Sequence, residues 1–353
     1  MKLKKIINIL EKKFPVKLKE DWDNVGLIVG DSNSNIERVQ ISLDITDGVI
    51  DNAINNKVDL IISHHPFIFK SINKVNNETI EGTKLLKIIK NNINIYTLHT
   101  NLDSANGGLN DYIASIIGGS NLKILSPRKN SFYNLVIYIE ESDVSNFNKF
   151  ISILELSKKE YSHCIITDTD KINCNLKYGI NVVNYKKIEI IVNENEINEL
   201  LNEITKLKKN SSIFYEYSIY NTKNSDNGIG RYFVLDEPIM ASEYIRYIKD
   251  KLNLLNVKWV YKEDKLIKKI AIINGSGSSY ITLAKSKNID LFITGDIKYH
   301  EALDAYEYGL HLLDIGHYES EVIFSDIIKN ILEEENNIES VMVYSELPIF
   351  NYV

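Results

Sequence analysis

The sequence has little cysteine, little proline and no excess of basic residues. Its 353 residues include 2 cysteines and 5 prolines, and the formal net charge is −7. Cys164 and Cys174 lack CxxC spacing, so we expect neither a disulfide framework nor a thiolate metal cage. The acidic balance argues against a nucleic-acid or membrane-surface binder, whose footprint is basic. No apolar run approaches the roughly 20 residues that span a bilayer.

The first residues give no sign of secretion. The segment KLKKIINILEKKF is too charged for a signal peptide and has no cleavage site of small residues. Together with the sparse cysteines, this predicts a cytoplasmic protein. The length is sufficient for two domains, or for one large domain with an insertion.

Strand-like apolar runs alternate with amphipathic helical patterns at both ends of the chain. The runs lie at 39–45, 58–63, 93–100, 269–274, 288–295 and 310–316. Nearly continuous apolar strands separated by helices predict an α/β fold whose mostly parallel sheet is covered on both faces.

The middle of the chain follows a different pattern. Residues 132–155 and 186–209 each have an apolar strand, an acidic turn and an amphipathic helix, as in a duplicated ferredoxin-like α+β domain. Ser-Pro at 126–127 and Asp-Glu-Pro at 236–238 mark possible boundaries. We therefore predict an inserted domain at 127–238 within a core made of 1–126 and 239–353.

Residues capable of chemistry follow the predicted strands of the core. They are Asp44, His64, His65, His99, Asp103, Asn274 to Ser279, Asp296, His300, His317 and Glu321. Five of the seven histidines belong to this set. Ligands bind at the carboxyl edge of open parallel sheets, so these side chains are expected to share one site.

The adjacent histidines His64 and His65 suit two metal ions better than one. Neighbouring residues on a strand point to opposite faces, but at a strand end followed by Pro66 both rings can turn toward one cavity. His317 and Glu321 are spaced i, i+4 and share one face of a predicted helix. Such donors suit Zn, Mn, Fe, Co or Ni, and a carboxylate can bridge two ions.

Two motifs have a second interpretation. Asp44 is as well explained as a cap of the next helix as by a role behind a metal ligand. The glycine-rich turn at Gly275, Ser276 and Gly277 could expose backbone N–H groups to a phosphate, or could be a plain tight turn. It matches neither a Walker A loop nor a complete GxGxxG motif.

Seven motifs together resemble the Nif-three-like family. They are EDWDNVGLIVGD, SLDIT, SHHPFIF, HTNLD, GSGSS, TGDIKYHEALDA and DIGHYESE, and they span the core in order. The middle segment is similar to the PII/CutA-type insert of the longer bacterial members. It departs from their Pro-Tyr-Glu-Glu-Pro pattern, because this chain has FYEY at 214–217.

The resemblance implies a two-lobed α/β core with two divalent metal ions per subunit, in a ring-shaped homohexamer. The implied metal ligands are His64, His65, Asp103, His317 and Glu321, with Glu321 bridging. His99, Asp296 and His300 are implied to line the same cavity.

Two functions follow as hypotheses. The first is metal-dependent hydrolysis of a nucleotide or related phosphorylated heterocycle. In a reaction like that of a type 2 GTP cyclohydrolase 1, water would attack C8 of guanine while a histidine or aspartate moves protons. The alternative is a non-catalytic metal protein with a regulatory or interaction role, in which the ring presents a metal-dependent surface.

Overall fold

The computed structural model describes residues 1–140, 143, 148–152, 164–168, 172–176, 179–183, 185–208, 213–335, 338–344 and 348–350. The chain divides into two compact units. The first, which we name the core unit, is Met1–Pro127 with Asp226–Val353, and the second, the insert unit, is Arg128–Ser225. Within the described ranges, no helix combines the length and the apolar character needed to cross a membrane.

The first part of the core unit alternates strands and helices. Its elements are α1 (Leu3–Lys13), β1 (Gly26–Val29), β2 (Arg38–Ser42), α2 (Asp47–Asn55), β3 (Leu60–Ser63), α3 (Ile80–Lys90), β4 (Asn94–Thr97), α4 (Thr100–Ser104) and α5 (Leu109–Ile116). The insert unit is reached through β5 (Lys123–Glu140). It contains β6 (Cys164–Asp168), β7 (Ile172–Leu176), β8 (Gly179–Val183), β9 (Tyr185–Asn193) and α6 (Glu194–Lys208), and β10 (Ile213–Met240) returns to the core unit.

The second part of the core unit repeats the alternation. Its elements are α7 (Ala241–Lys251), β11 (Lys258–Val260), β12 (Leu266–Ser276), α8 (Ile281–Ser286), β13 (Leu291–Gly295), α9 (Tyr299–Tyr308), β14 (His311–Asp314), α10 (His317–Glu321), α11 (Phe324–Glu333) and β15 (Ser340–Val343). Short 3-10 turns lie at Val16–Leu18 and Ser278–Tyr280.

The first sheet of the core unit has the order β1-β4-β3-β2-β15. The pairs β15–β2, β2–β3 and β3–β4 are parallel, and β1 joins antiparallel to β4. Every residue of β3 is buried. Leu60 and Ile62 pack in one apolar cluster, while Ile61 packs in another with Val49 and Ile50 of α2. Both faces of this sheet are therefore covered, which explains the unbroken apolar run of β3.

The second sheet of the core unit is built from β11, β14, β13, β12 and the end of β10, in that order. The pairs β12–β13 and β13–β14 are parallel. The outer strands β10 and β11 join antiparallel to β12 and β14. The predicted α/β class is confirmed, with antiparallel strands added beside the parallel ones.

In the insert unit, β9 pairs antiparallel with both β5 and β6. The helix α6 buries Ile197, Leu200 and Ile204 in one cluster with Ile188 and Ile190 of β9. The strand and helix predicted for 186–209 are thus present. The helix predicted for 132–155 lies partly outside the described residues, and the PII/CutA-like domain at 127–238 stays a prediction.

Candidate metal centre

The carboxyl ends of the parallel strands in the core unit carry the candidate site. His64 and His65 directly follow β3, and His99 follows β4 just before α4, which contains Asp103. In the second sheet, Asp296 follows β13. The turn after β14 uses Gly316, with a φ of 89°, to start α10 at His317. These loop and helix positions bring side chains from both sheets together.

The buried carboxylate of Glu321 is the centre of this cluster. Its Oε2 lies 2.9 Å from His65 Nε2 and 3.0 Å from His317 Nε2. Its Oε1 lies 3.5 Å from His64 Nε2. Three imidazole nitrogens from two sheets therefore converge on one carboxylate.

The other ring nitrogen of His64 and of His65 has a fixed partner. His64 Nδ1 lies 2.8 Å from the carbonyl oxygen of Leu98. A carbonyl only accepts, so Nδ1 carries the proton and a neutral His64 presents a bare Nε2. His65 Nδ1 lies 2.8 Å from Asp44 Oδ1, which has the same effect.

His317 and His99 show the same arrangement. His317 Nδ1 lies 2.7 Å from Asp296 Oδ2, and His99 Nδ1 lies 2.9 Å from Asp23 Oδ1. Carboxylates behind imidazoles fix the tautomer and make the opposite nitrogen a better ligand. In their neutral forms, all four histidines therefore present Nε2 for ligation.

The position of Asp44 decides between its two interpretations. The cap of α2 is Thr46, whose hydroxyl accepts a hydrogen bond from the Val49 N–H at 3.2 Å. Asp44 instead accepts from His65. Its side chain therefore acts on the histidine and not on the helix.

Asp103 is a second buried carboxylate beside His64. Its Oδ1 lies 3.9 Å from His64 Nε2 and accepts a hydrogen bond of 2.9 Å from Asn274 Nδ2. The same Nδ2 donates to Glu321 Oε1 at 3.2 Å. Asn274 thereby links a carboxylate after the first sheet to a carboxylate after the second.

The pKa values of the cluster show that it favours positive charge at the imidazoles. Burial lowers the pKa of His65, but its hydrogen bonds to Asp44 and Glu321 outweigh burial and raise the pKa to about 10. The hydrogen bond to Glu321 raises the pKa of His317 to about 9. Burial opposes ionisation of Glu321, yet the histidines hold its pKa well below the usual value. Burial raises the pKa of Asp103.

A group of potential ligand atoms is also present on the His99 side. One ring nitrogen each of His64, His65 and His99 lies within 4.8 Å of the others, and the same holds for the ligand atoms of His65, His317 and Glu321. Both groups could hold a metal ion. Among the described residues, no hydrogen bond satisfies the buried His64 Nε2, whose contact with Glu321 Oε1 is 3.5 Å long, and this fits a nitrogen that serves as a ligand.

The cluster opens into a cavity of about 1080 Å³ within the core unit. The cavity wall includes His65, His317 and their partners Asp44 and Asp296. The side chains of Lys84, Lys258 and Lys298 also line it. A ligand of moderate size can thus reach two of the histidines.

The structure does not bring His300 into the cluster. His300 is exposed on α9, where its ring contacts Tyr299 with 5.5 Å between the centroids. The sequence prediction placed it with Asp296. The described residues that line the cavity include Asp296 and Lys298 but not His300, which lies in the first turn of α9. In contrast, Asp296 bonds to His317 Nδ1, and the His99 ring contacts the His64 ring.

The anion interpretation of the glycine-rich turn is not supported. The Gly275 N–H donates to Ser320 Oγ at 2.8 Å, and the Gly277 N–H donates to Thr294 Oγ1 at 2.8 Å. Both N–H groups already have acceptors, whereas an anion nest needs them for the ligand. Strand β12 also extends through Ser276, so this segment begins inside a strand.

Close approach explains glycine at position 275. Its φ is +60°, and a Cβ there would lie 2.3 Å from Glu321 Oε1. Only glycine allows the strand to pass so near the central carboxylate.

Asp23 is a residue of the site that the sequence motifs did not single out. It is buried, it holds His99, and it accepts hydrogen bonds of 2.5 Å and 3.1 Å from the hydroxyl and N–H of Thr100. Burial opposes its ionisation, but the hydrogen bonds from His99 and Thr100 lower its pKa to about 2. Its partner is 76 residues away, so no local spacing could reveal the pair.

Comparison with known proteins gives matches along nearly the whole chain. The profile of the family described as Duf34/NIF3 (NGG1p interacting factor 3) matches residues 1–347. A "GTP cyclohydrolase 1 type 2 homolog" of Staphylococcus epidermidis is 33% identical over 349 residues, covering 95% of this chain and 93% of its own. A homolog of the same name from Bacillus subtilis is 29% identical, with coverage of 92% and 91%.

Solved structures agree with these matches. The crystal structure of Staphylococcus aureus protein SA1388 superposes with a TM-score of 0.74 at 28% identity, covering 100% of this chain and 99% of that one. A Bacillus cereus protein related to NIF3 superposes with a TM-score of 0.67 at 26% identity, with coverage of 99% and 98%.

Proposed function

Because this chain belongs to the Duf34/NIF3 family, we propose that its histidine–carboxylate cluster holds two divalent metal ions and supports metal-dependent hydrolysis. The substrate would be a nucleotide or a related phosphorylated heterocycle. One observation carries the proposal: the Nε2 atoms of His64, His65 and His317 converge on the buried Glu321 carboxylate.

The donors divide naturally into two sets that share Glu321. His64, Asp103 and Glu321 Oε1 form one set, and His65, His317 and Glu321 Oε2 form the other. Glu321 thus bridges in this proposal. Imidazole and carboxylate donors without thiolate suit Zn, Mn, Fe, Co or Ni. The bare nitrogens and the unpartnered His64 Nε2 fit such ions.

Divalent ions held by these residues would supply the Lewis acidity that activates water and polarises a substrate oxygen. The residues behind the ligands would preserve the arrangement. Asp44 and Asp296 would keep His65 and His317 protonated at Nδ1, so that Nε2 stays available for ligation. Asn274 would hold Asp103 and Glu321 at a fixed spacing.

His99 is suited to move the proton in this reaction. The Asp23 carboxylate fixes the proton of His99 at Nδ1, which leaves Nε2 able to accept another. The His99 ring lies 5.2 Å from His64 and 5.6 Å from His65, measured between ring centroids. We propose His99 Nε2 as the group that accepts and returns a proton beside the metal ligands.

The choice of substrate class is supported by the names of relatives and by the cavity. The relatives that match along the chain are named GTP cyclohydrolase 1 type 2 homologs. Three lysines line the cavity with His65 and His317. Lys84 donates to the carbonyl oxygen of Ile45 and Lys258 pairs with Asp314, which makes Lys298 the candidate contact for a phosphate. The homohexamer, the PII/CutA-like insert and the cytoplasmic location also stay predictions for this chain.

Elemental analysis of metal bound per chain tests the proposal. The protein is purified without a histidine tag and reconstituted with Zn or Mn. We expect about two ions per chain in the wild type and about one in His65→Ala, because one ligand set loses a member. A matched control is His300→Ala, which removes an exposed histidine outside the cluster and is expected to keep both ions.

The metal-loaded protein is then tested against nucleotides, with release of product as the readout. Turnover that is lost in His65→Ala and kept in His300→Ala would support a hydrolase. Absence of bound metal after reconstitution would remove the basis of the proposal. Two bound ions without turnover of any nucleotide would favour the non-catalytic alternative.

A further inference from the structure

Two large aromatic side chains are exposed beside His99. Trp22 is 59% exposed and Phe69 is 55% exposed. Their ring centroids lie 5.8 Å apart, and the ring centroids of Trp22 and His99 lie 6.0 Å apart, with the two planes close to perpendicular. Apolar rings of this size are usually covered in a folded protein, so their position next to a candidate reaction centre needs an explanation.

The loops that carry these rings are held in place. Trp22 precedes Asp23, which is buried and bonded to both His99 and Thr100. Asn24 Nδ2 donates to the carbonyl oxygen of Ile68 at 2.7 Å, so the loop before β1 is tied to the loop after β3. The loops that carry the two rings are therefore tied to each other and to His99.

We propose that the exposed Trp22 ring binds the planar heteroaromatic ring of the substrate by stacking, with the Phe69 ring, tilted by 59° to that of Trp22, against the edge of the bound ring. This inference rests on the proposed function, for which it assigns the subsite of the heterocycle. Aromatic faces bind flat π systems with little dependence on their hydrogen-bonding pattern. A ring stacked on Trp22 borders His99, whose own ring contacts His64 and His65.

The charges around Trp22 define which end of the substrate binds there. Glu20, Asp21 and Asp23 are its neighbours in the chain, and the lysine nearest in sequence, Lys19, donates to the carbonyl oxygen of Asp23. Clustered carboxylates repel phosphate. The subsite is therefore for a neutral or cationic ring, and the phosphate groups of the substrate lie away from it.

Tryptophan fluorescence gives a direct test, since the chain has 2 tryptophans. The second, Trp259, lies on β11 and stacks on Tyr261 and His311. In metal-loaded Trp259→Phe protein, the emission comes from Trp22 alone. Guanosine is expected to quench it saturably, whereas ribose 5-phosphate, which has no aromatic ring, is expected to leave it unchanged.

Isothermal titration calorimetry then measures guanosine binding to metal-loaded variants of the otherwise wild-type chain. Trp22→Ala is expected to weaken binding by roughly 5- to 100-fold, as loss of one stacking contact does. Tyr299→Ala is the matched control, because Tyr299 is an exposed aromatic residue on α9. It is expected to bind guanosine as the wild type does.

Unchanged guanosine affinity in Trp22→Ala would overturn the stacking subsite. Equal quenching by ribose 5-phosphate, or no saturable quenching by guanosine, adenosine or cytidine, would also overturn it. Metal content and hydrolysis are measured on the same samples. A metal-loaded hydrolase that binds no nucleoside loses this subsite and keeps the proposed function. A protein that binds guanosine through Trp22 but holds no metal keeps the subsite and loses the proposed function.

Discussion

The Nε2 atoms of His65 and His317 lie 3.3 Å apart, although each ring already has a carboxylate at Nδ1. If both rings were neutral with the proton at Nδ1, two lone pairs would face each other. A cation between them removes this repulsion, and the nearby Glu321 carboxylate adds to the attraction. Either a proton or a metal ion can serve, so protons and metal compete for the same nitrogens.

This competition predicts how pH affects the metal-free protein. The pKa of His65 is raised from 6.5 to about 10, and that of His317 to about 9. Protonation of these two histidines therefore contributes its full amount to the free energy of unfolding below about pH 6.5. This contribution is lost as the pH rises through 9 to 10. The lowered pKa of Glu321 acts only at the acidic end, where its contribution is lost as the pH falls.

Urea midpoints at pH 6, 8 and 10 measure the effect, and the metal-free protein should become steadily less stable. The metal-loaded protein is the control, because the ions replace the protons and the decline should be smaller. Equal midpoints of the metal-free protein at pH 6 and pH 10 would contradict the assignment.

Asp44 should affect metal binding without being a ligand. In Asp44→Asn the carboxylate behind His65 loses its charge, and metal affinity is expected to fall about 10- to 100-fold. Competition with a chromophoric zinc chelator measures this affinity. Asp51→Asn is a matched control. Asp51 lies on α2, the helix that follows Asp44, and forms a surface ion pair with Lys87 of α3. Equal loss of affinity in both variants would indicate a general charge effect.

The sequence predicted the parallel strands and their ends well, because buried strands such as β3 (LIIS) and β13 (LFITG) are short and nearly continuous apolar runs. The family resemblance is confirmed by the comparisons. The edge strands of the first sheet, the antiparallel β1 and the parallel β15, were not predicted. Each has four residues that are mostly half-buried, so neither shows a strong pattern.

For the site, position relative to a strand end was informative for His64, His65 and His99, which lie together. His300 does not lie with them: it is exposed on α9, where its ring contacts Tyr299. Position relative to a strand end could not identify the carboxylates that bond the histidines, such as Asp23 for His99. Residues that meet only in the folded chain have no characteristic spacing in the sequence. The metal-ligand set itself stays a prediction.

Gly275 should be required for metal binding. In Gly275→Ala the new Cβ would clash with Glu321 Oε1, so the carboxylate must move, and metal content is expected to fall. The control is Gly309→Ala, which has a similar φ of +66° but open space around its Cα. Both variants should lose roughly 1–2 kcal/mol of unfolding free energy from backbone strain. Normal metal content in Gly275→Ala would show that Glu321 can shift without cost.

Replacing Arg231 should strongly lower the free energy of unfolding, because its guanidinium is buried and bonded to Asp111. It also donates to the carbonyl oxygen of Ala105 at 2.7 Å, next to the helix that carries Asp103. Arg231→Ala strands a partly buried carboxylate, and urea denaturation should show a loss of about 3–5 kcal/mol. Arg38→Ala breaks an exposed pair with Glu339 and should cost less than about 1 kcal/mol. Similar losses in the two variants would mean that the buried network around Asp111 finds other donors when the guanidinium is gone.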